Sequence, residues 1–419
     1  MEPRHPHPDH PLGRTPDRPG LRAGGGGGPV AVRLGPRPAA GGDGVGRLPD
    51  GRVIFVEGAL PGEEVTVDVT EERRDFARGV TVAVLEPSPH RVEAPCPHRR
   101  AGCGGCGWQE VALDEQVGLK EQIVLDALAR IGRVEAAEVL PAVRLPASGY
   151  RTTVHLAVDQ AGRPGYRRRH DPAAQPVDSC LVSHPWIEAA LATSRFPGHR
   201  RVSLRVGAAG GERLAVLQAE RPVDLPDEWR AVGPGERAWI HETVGGRSWQ
   251  VSARAFFQAG PAAAEAIAAA VDAAVGDALG AGGVLVDAYA GVGVLGGIVA
   301  GRREARLIAI EQHRLAAADA AVNLGDLDAE VAVGEVGRWP AVPADVVVAD
   351  PARSGLGRPG CRALAATGAP RLVLVSCDPA SLGRDAGLLA AAGYRLSSVQ
   401  LIDAFPHTPH VETVSRFDR

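Results

Sequence analysis

Two residues that are distant in the chain are the ones best suited to chemistry, a cysteine and a glutamate. Cys377 stands in Ser376-Cys377-Asp378-Pro379, directly after the apolar run Leu372-Val373-Leu374-Val375. Such a run reads as a buried strand. Cys377 should therefore emerge at the strand's carboxyl end, where open α/β sheets hold their ligands. Glu412 arrives from the extreme C-terminal stretch, in Phe405-Pro406-His407-Thr408-Pro409-His410-Val411-Glu412. A thiol nucleophile and a carboxylate base together suit covalent catalysis on an otherwise unreactive carbon.

A second group of residues reads as a cofactor site. Val284-Leu285-Val286-Asp287-Ala288-Tyr289-Ala290-Gly291-Val292-Gly293 is a strand, an acidic residue and a Gly-x-Gly turn. Glycines there let a ligand approach the backbone closely. Glu311 follows at the end of the next apolar run, where a carboxylate can accept both hydroxyls of a ribose. No third phosphate-cradling glycine is evident, and an acidic residue at the end of the first strand would repel a pyrophosphate. S-adenosylmethionine therefore fits better than NAD. The turn Asp350-Pro351-Ala352-Arg353-Ser354-Gly355 adds another carboxylate at the same edge; its alternative reading is a turn capped by Asp350.

The cysteines form a third group. Cys96, Cys103 and Cys106 lie in a glycine-rich stretch, and Cys180 follows far downstream. Four thiolates can hold Zn²⁺ or a 4Fe–4S cluster. The uneven spacing, without paired C-x2-C knuckles, favours iron–sulfur. Cys361 has no partner in sequence and reads as a plain helix cysteine.

The elements that must position these residues follow from the pattern of the chain. The 419 residues carry 45% hydrophobic but only 4% aromatic side chains, so the core must be built from Ala, Val and Leu. Net charge is −4, which advertises no global affinity for nucleic acid. Among 46 cationic residues, Lys120 is the only lysine. Residues 1–28 are rich in Pro, His, Arg and Gly and read as a disordered tail. Residues 30–90 show short strands separated by Pro49-Asp50-Gly51 and Leu60-Pro61-Gly62, the pattern of a small oligonucleotide-binding type β-barrel. Arg73, Arg74 and Arg78 cluster near one end of it, either as a solvated loop or as an RNA contact. Residues 91–240 read as a central α+β region with the cysteine cluster and a helix from Leu113. From about residue 241 strands and helices alternate, which predicts a doubly wound, Rossmann-like parallel sheet. No apolar run is long enough to span a membrane. No signal-peptide pattern is present either, so a cytoplasmic protein with reduced cysteines is expected.

These blocks together resemble the TRAM-domain RNA 5-methyluridine methyltransferases, over roughly residues 30–419. The resemblance is carried by Asp50-Gly51-Arg52-Val53-Ile54-Phe55-Val56, the four cysteines, Phe256-Phe257-Gln258 and Asp287-Ala288-Tyr289-Ala290-Gly291. It continues in Asp350-Pro351-x-Arg353, Ser376-Cys377-x-Pro379-x-x-Leu382-x-Arg384-Asp385 and Phe405-Pro406-x-Thr408-x-His410-x-Glu412. Ala352, Asp378 and Ala259-Gly260 depart from the family pattern. The resemblance implies S-adenosylmethionine-dependent methylation of uridine C5 in structured RNA, with 23S ribosomal RNA favoured over the tRNA T-loop. Cys377 would add to C6 of the base and Glu412 would remove the C5 proton. Gln258 and Asp350 would hold cofactor or base, Tyr289 and Glu311 the adenosyl part. Phe256 would stack on a flipped base, or else be a core residue, and the barrel would grip RNA. Cys96, Cys103, Cys106 and Cys180 would ligate a 4Fe–4S cluster of structural or RNA-positioning role. A monomer is expected, and a catalytically degenerate iron–sulfur RNA-binding protein is the alternative from another class.

Overall fold

The structure, a computed structural model, describes residues 28–169, 171 and 173–419. The tail expected over residues 1–28 lies, apart from Gly28, outside the described residues. The described chain divides into two units, one made mainly of residues up to Ser88 and the other reaching from Pro89 to Arg419.

The first unit is a closed five-stranded barrel. Its strands run, around the barrel, Val30–Pro38, Gly44–Arg47, Val53–Glu57, Phe76–Glu86 and Glu64–Glu72. Alternation decides its inside: Val32, Leu34, Ile54, Val56, Val65, Val67 and Ala77 point inward and are buried. Gly79 permits a tight strand approach, because a Cβ there would meet Val67 Cγ1 at 2.3 Å and Asp68 O at 2.8 Å. Outside, the Arg78 guanidinium lies over the rings of Phe55 and Phe76 at 5.4 and 5.9 Å. The three arginines noted in the sequence all face carboxylates: Arg73 pairs with Glu71, Arg74 with Asp75, and Arg78 with Asp43 and Glu71.

The second unit is built on an eight-stranded sheet. From one edge its strands are Ala329–Val333, Arg306–Glu311, Val284–Ala288, Val346–Ala349, Arg371–Ser376, Thr413–Asp418, Arg395–Asp403 and Glu138–Arg144. The first five are parallel, and Thr413–Asp418 runs antiparallel between Arg371–Ser376 and Arg395–Asp403. Consecutive strand residues supply opposite faces. Val346, Val348, Val373 and Val375 pack with helices Pro261–Val275, Val294–Arg303 and Arg314–Asn323. Val347, Ala349, Leu372 and Leu374 pack with Leu113–Ala127, Gly357–Ala365 and Pro379–Ala391. The α/β doubly wound architecture expected from the sequence is thus present, with a three-layer core. Part of the 91–240 stretch joins this sheet: helix Leu113–Ala127 covers one face and Glu138–Arg144 is the outer strand.

The rest of that stretch forms a second sheet of six strands, ordered Arg230–Val232, Arg213–Leu217, Arg201–Val206, Thr153–Val158, Pro164–Arg167 and Ala174–Pro176. Helix Pro185–Thr193 packs on it through Ile187, Ala190 and Leu191. Among the described residues no helix is long and apolar enough to cross a membrane.

Candidate active site

The carboxyl ends of four neighbouring parallel strands and the start of the antiparallel one meet at one edge of the large sheet. Tyr289 follows Val284–Ala288, Glu311 ends Arg306–Glu311, Asp350 follows Val346–Ala349, and Cys377 follows Arg371–Ser376. Ser376 is paired with Thr413 across the antiparallel ladder, and Thr413 Oγ1 donates to Ser376 O at 3.1 Å. Cys377 and Glu412 therefore leave the same ladder rung side by side. Reversal of one strand brings Glu412, far along the chain, to Cys377.

The electrostatics of this edge are dominated by carboxyls. Asp287, Asp350 and Glu412 are buried deeply enough to push each above the usual carboxylate range. Burial is the largest cause for all three, taking Asp287 and Asp350 up to about 7 and Glu412 well above its ordinary value. Asp350 raises both Asp287 and Glu412 further, as like charges must. Burial also pushes the Cys377 thiol up to about 12, helped by Glu412 and Asp350 and opposed by Arg353. Partial desolvation and the nearby cations Arg353, Arg151 and Lys120 push His410, itself exposed, below its ordinary value.

Hydrogen bonds fix these groups. Gln258 Nε2 donates to Asp350 Oδ2 at 3.0 Å, so Gln258 and Asp350 meet as one unit. Glu311 accepts from Gly291 N at 2.9 Å and from His313 N at 2.6 Å, which ties it to the glycine turn. Each of its oxygens keeps a second acceptor position for a ligand hydroxyl. Asp287 accepts from Gly296 N at 2.9 Å and leaves its other oxygen, buried, without a partner. Tyr289 has φ 63°, a left-handed conformation costing of order 1–3 kcal/mol for a non-glycine residue, and such outliers gather at functional turns. The Asp350 turn is held from helix Pro379–Ala391. Asp385 accepts from Leu356 N at 2.6 Å and Gly357 N at 3.1 Å, and Ser381 Oγ donates to Arg353 O at 2.6 Å. Asp378 caps that helix by accepting from Ser381 N at 2.7 Å. Phe256 is 70% exposed, which rules out its reading as a core residue. Phe257 beside it packs against the core instead.

Comparisons with known proteins decide the family. The TRAM domain profile matches residues 35–82. The chain is 34% identical to a protein of Streptomyces coelicolor named an uncharacterised RNA methyltransferase, covering 92% of this chain and 91% of that one. It is 33% identical to a protein of Methylococcus capsulatus named 23S rRNA (uracil(1939)-C(5))-methyltransferase, covering 88% of this chain and 93% of that one. This chain belongs to the TRAM-domain RNA methyltransferases. A crystal structure of a Pyrococcus abyssi tRNA (uracil-54, C5)-methyltransferase has the same fold. It superposes with a TM-score of 0.68 at 24% identity, covering 93% of this chain and all of that one.

In this methyltransferase the four cysteines share a cavity of their own, whose Arg151 also lies over the ring of Phe405 at 5.5 Å. Cys96, Cys103, Cys106 and Cys180 line one cavity of about 220 Å³, together with Gln109, Arg151, His155 and Tyr166. Among the described residues no group of three or more His, Cys, Asp or Glu is placed to hold a metal ion. The described residues thus lend no support to a preformed four-thiolate site, whether for zinc or for a 4Fe–4S cluster; the four thiols share a cavity. Burial raises the Cys103 thiol, and raises Cys106 to about 11. Metal binding there would have to displace protons.

Sequence reasoning passed over several residues of this region. Arg353 is the cation that favours ionisation of both Cys377 and Glu412. Arg205 is buried and donates from Nη1 to the carbonyls of Ser252, Ala253 and Ala255 at 3.1, 3.3 and 2.6 Å, fixing the segment that leads into Phe256 and Gln258. Asp385 and Lys120 hold loops of the site. Arg353 and Asp385 sat inside recognised motifs without a role. Arg205 carries no signal in the sequence at all.

Proposed function

We propose that this methyltransferase transfers a methyl group from S-adenosylmethionine to C5 of a uridine in ribosomal RNA, through a covalent adduct on Cys377. The observation that carries the reading is the ladder pairing of Ser376 with Thr413, which sets Cys377 beside Glu412 at the ligand-binding edge. C5 of uracil is a poor nucleophile. Addition of the Cys377 sulfur to C6 turns the ring into an enolate, whose C5 can take an electrophilic methyl group. S-adenosylmethionine, when bound, supplies that methyl on a sulfonium. Glu412 then accepts the C5 proton, the C6–S bond breaks and the thiolate returns. Burial makes Glu412 a stronger base than an exposed glutamate, which suits removal of a carbon-bound proton.

The carboxyl-rich edge supports the cofactor. Asp287, Glu311 and Asp350 favour a ligand with hydroxyls and a positive charge and disfavour a pyrophosphate. Glu311 and Tyr289 would hold the adenosyl part, and Gln258 with Asp350 would hold the methionine end or the base. Exposed Phe256, on a segment pinned by Arg205, would stack on an extruded base. The likeness to the ribosomal RNA enzyme supports ribosomal RNA as substrate. Cys96, Cys103, Cys106 and Cys180, which line one cavity, would hold a 4Fe–4S cluster.

The test is mass-spectrometric mapping of 5-methyluridine in ribosomal RNA and tRNA from a deletion strain. The strain is complemented with the native gene or with Cys377→Ala. One ribosomal uridine should lose its methyl on deletion, regain it with the native gene and stay unmodified with the variant. Loss of methyl only in tRNA would move the substrate, and restoration by Cys377→Ala would refute the adduct.

A further inference from the structure

Lysine occurs once in this chain, against an otherwise all-arginine set of 46 cations, and it is wholly buried. Lys120 Nζ donates to Asp403 Oδ1 at 2.5 Å and to Phe405 O at 3.0 Å. Asp403 is the last residue of strand Arg395–Asp403, and Phe405 opens the loop that ends in Glu412. Next to Asp403, Ile402 N donates to the carbonyl of Glu412 itself at 2.8 Å. The ammonium therefore clamps the root of the loop one residue from the point where Glu412 is tied to the sheet.

One turn earlier on the same helix face, Gln116 grips the middle of that loop. Its Oε1 accepts from His407 N at 2.7 Å, while Trp108 N donates to His407 O at 2.9 Å. His407 has φ 66°, a left-handed conformation it would leave if released. Helix Leu113–Ala127 thus holds two points of the loop through two fully buried polar side chains.

The residue type is informative. A compact ammonium with three donors meets two acceptors here, whereas a guanidinium would carry five donors in a planar fork into a pocket without partners for the rest. We infer that Lys120, with Gln116, is a positioning residue that aims the Glu412 carboxylate at the C5 proton. The inference rests on the reading of Glu412 as the base.

The full-length Lys120→Arg, Gln116→Met and Lys120→Met/Asp403→Asn variants test it, the last leaving no unpaired buried charge. Each is assayed with S-adenosylmethionine and the ribosomal RNA transcript that the native protein methylates, with Glu412→Gln as reference. Turnover should fall about 10²-fold, the cost of misplacing a reacting group by an ångström. Cofactor affinity should stay within about threefold and a denaturant-stable protein–RNA adduct should accumulate, because only the proton-removal step is slowed. Folded variants that keep native turnover, or lose it without accumulating adduct, overturn the inference. Misfolding of all three variants in thermal denaturation also overturns it, by assigning the contacts to stability. Absence of adduct in Glu412→Gln sinks the base reading instead, whatever the Lys120 variants do.

Discussion

Cys377 should be a reluctant nucleophile in the ligand-free protein, and its reluctance should be tunable from Glu412. Burial, then Glu412, then Asp350 lift its thiol from an ordinary value of 9.0 to about 12. At pH 8 that lowers the thiolate fraction from about a tenth to about 10⁻⁴, roughly a thousandfold. A thiolate of higher pKa is more nucleophilic, by a Brønsted factor of about 0.4–0.5 per unit, which returns roughly 16- to 32-fold. The net expectation is reaction with a small disulfide reagent about 30- to 60-fold slower than an ordinary thiol at pH 8. The rate should rise about tenfold per pH unit from 7 to 10 without levelling. Glu412→Gln removes one of the two carboxylates that raise the thiol, so its midpoint should fall. It should nonetheless stay above the ordinary value, since burial is the larger cause and persists. The sulfonium of S-adenosylmethionine should lower the midpoint further than neutral-sulfur S-adenosylhomocysteine does. The assay is peptide mapping by mass spectrometry, which separates Cys377 from Cys361 and Cys106, also raised to about 12 and 11. A plateau near pH 9 in the native protein, or a midpoint that rises in Glu412→Gln, would refute the electrostatic account.

Cys377→Ala should lower methyl transfer by at least about 10³-fold with cofactor affinity nearly intact, and retention of a tenth of native turnover would remove Cys377 as nucleophile. Protein purified without oxygen should be brown with about four irons per chain, and one zinc without iron or sulfide would exclude the cluster. Glu242 is buried and raised to about 7, mainly by burial. Its neutral form stabilises the fold below the ordinary value of 4.5, and that contribution is lost as pH rises towards 7. The melting temperature of Glu242→Gln should therefore gain on the native protein between those pH values and run parallel above them; a variant that loses ground to the native protein over that range would contradict this sign. Arg74→Ala with Arg78→Ala should weaken RNA binding and flatten the log–log salt dependence by about 0.7 per lost phosphate contact on single strands. An unchanged slope would take these two arginines out of the RNA interface.

Much of this protein is legible in one dimension. Strand-length apolar runs ending in Asp287, Glu311, Asp350 and Cys377 mark the carboxyl edge of a parallel sheet, because period and run length are local properties. Short strands with Pro-Asp-Gly turns likewise mark the barrel. Glu412 is legible only within its motif, and the alternating pattern of the sequence singles out no strand after it. The long-range pairing of Thr413–Asp418 against Arg371–Ser376 puts it beside Cys377. Nothing local dictates strand direction or partner, since both depend on which edge of the assembled sheet is open. Assignment of helix Leu113–Ala127 and strand Glu138–Arg144 to the catalytic sheet has the same origin. The charge states of the site are also tertiary. Asp287, Asp350, Glu412 and Cys377 have ordinary values in the unfolded chain and shift only when folding strips their water and brings like charges together. Sequence alone determined which groups this methyltransferase carries and the sheet edge to which most of them belong. The tertiary structure decided which of them face one another, and burial decided in what ionisation state they do so.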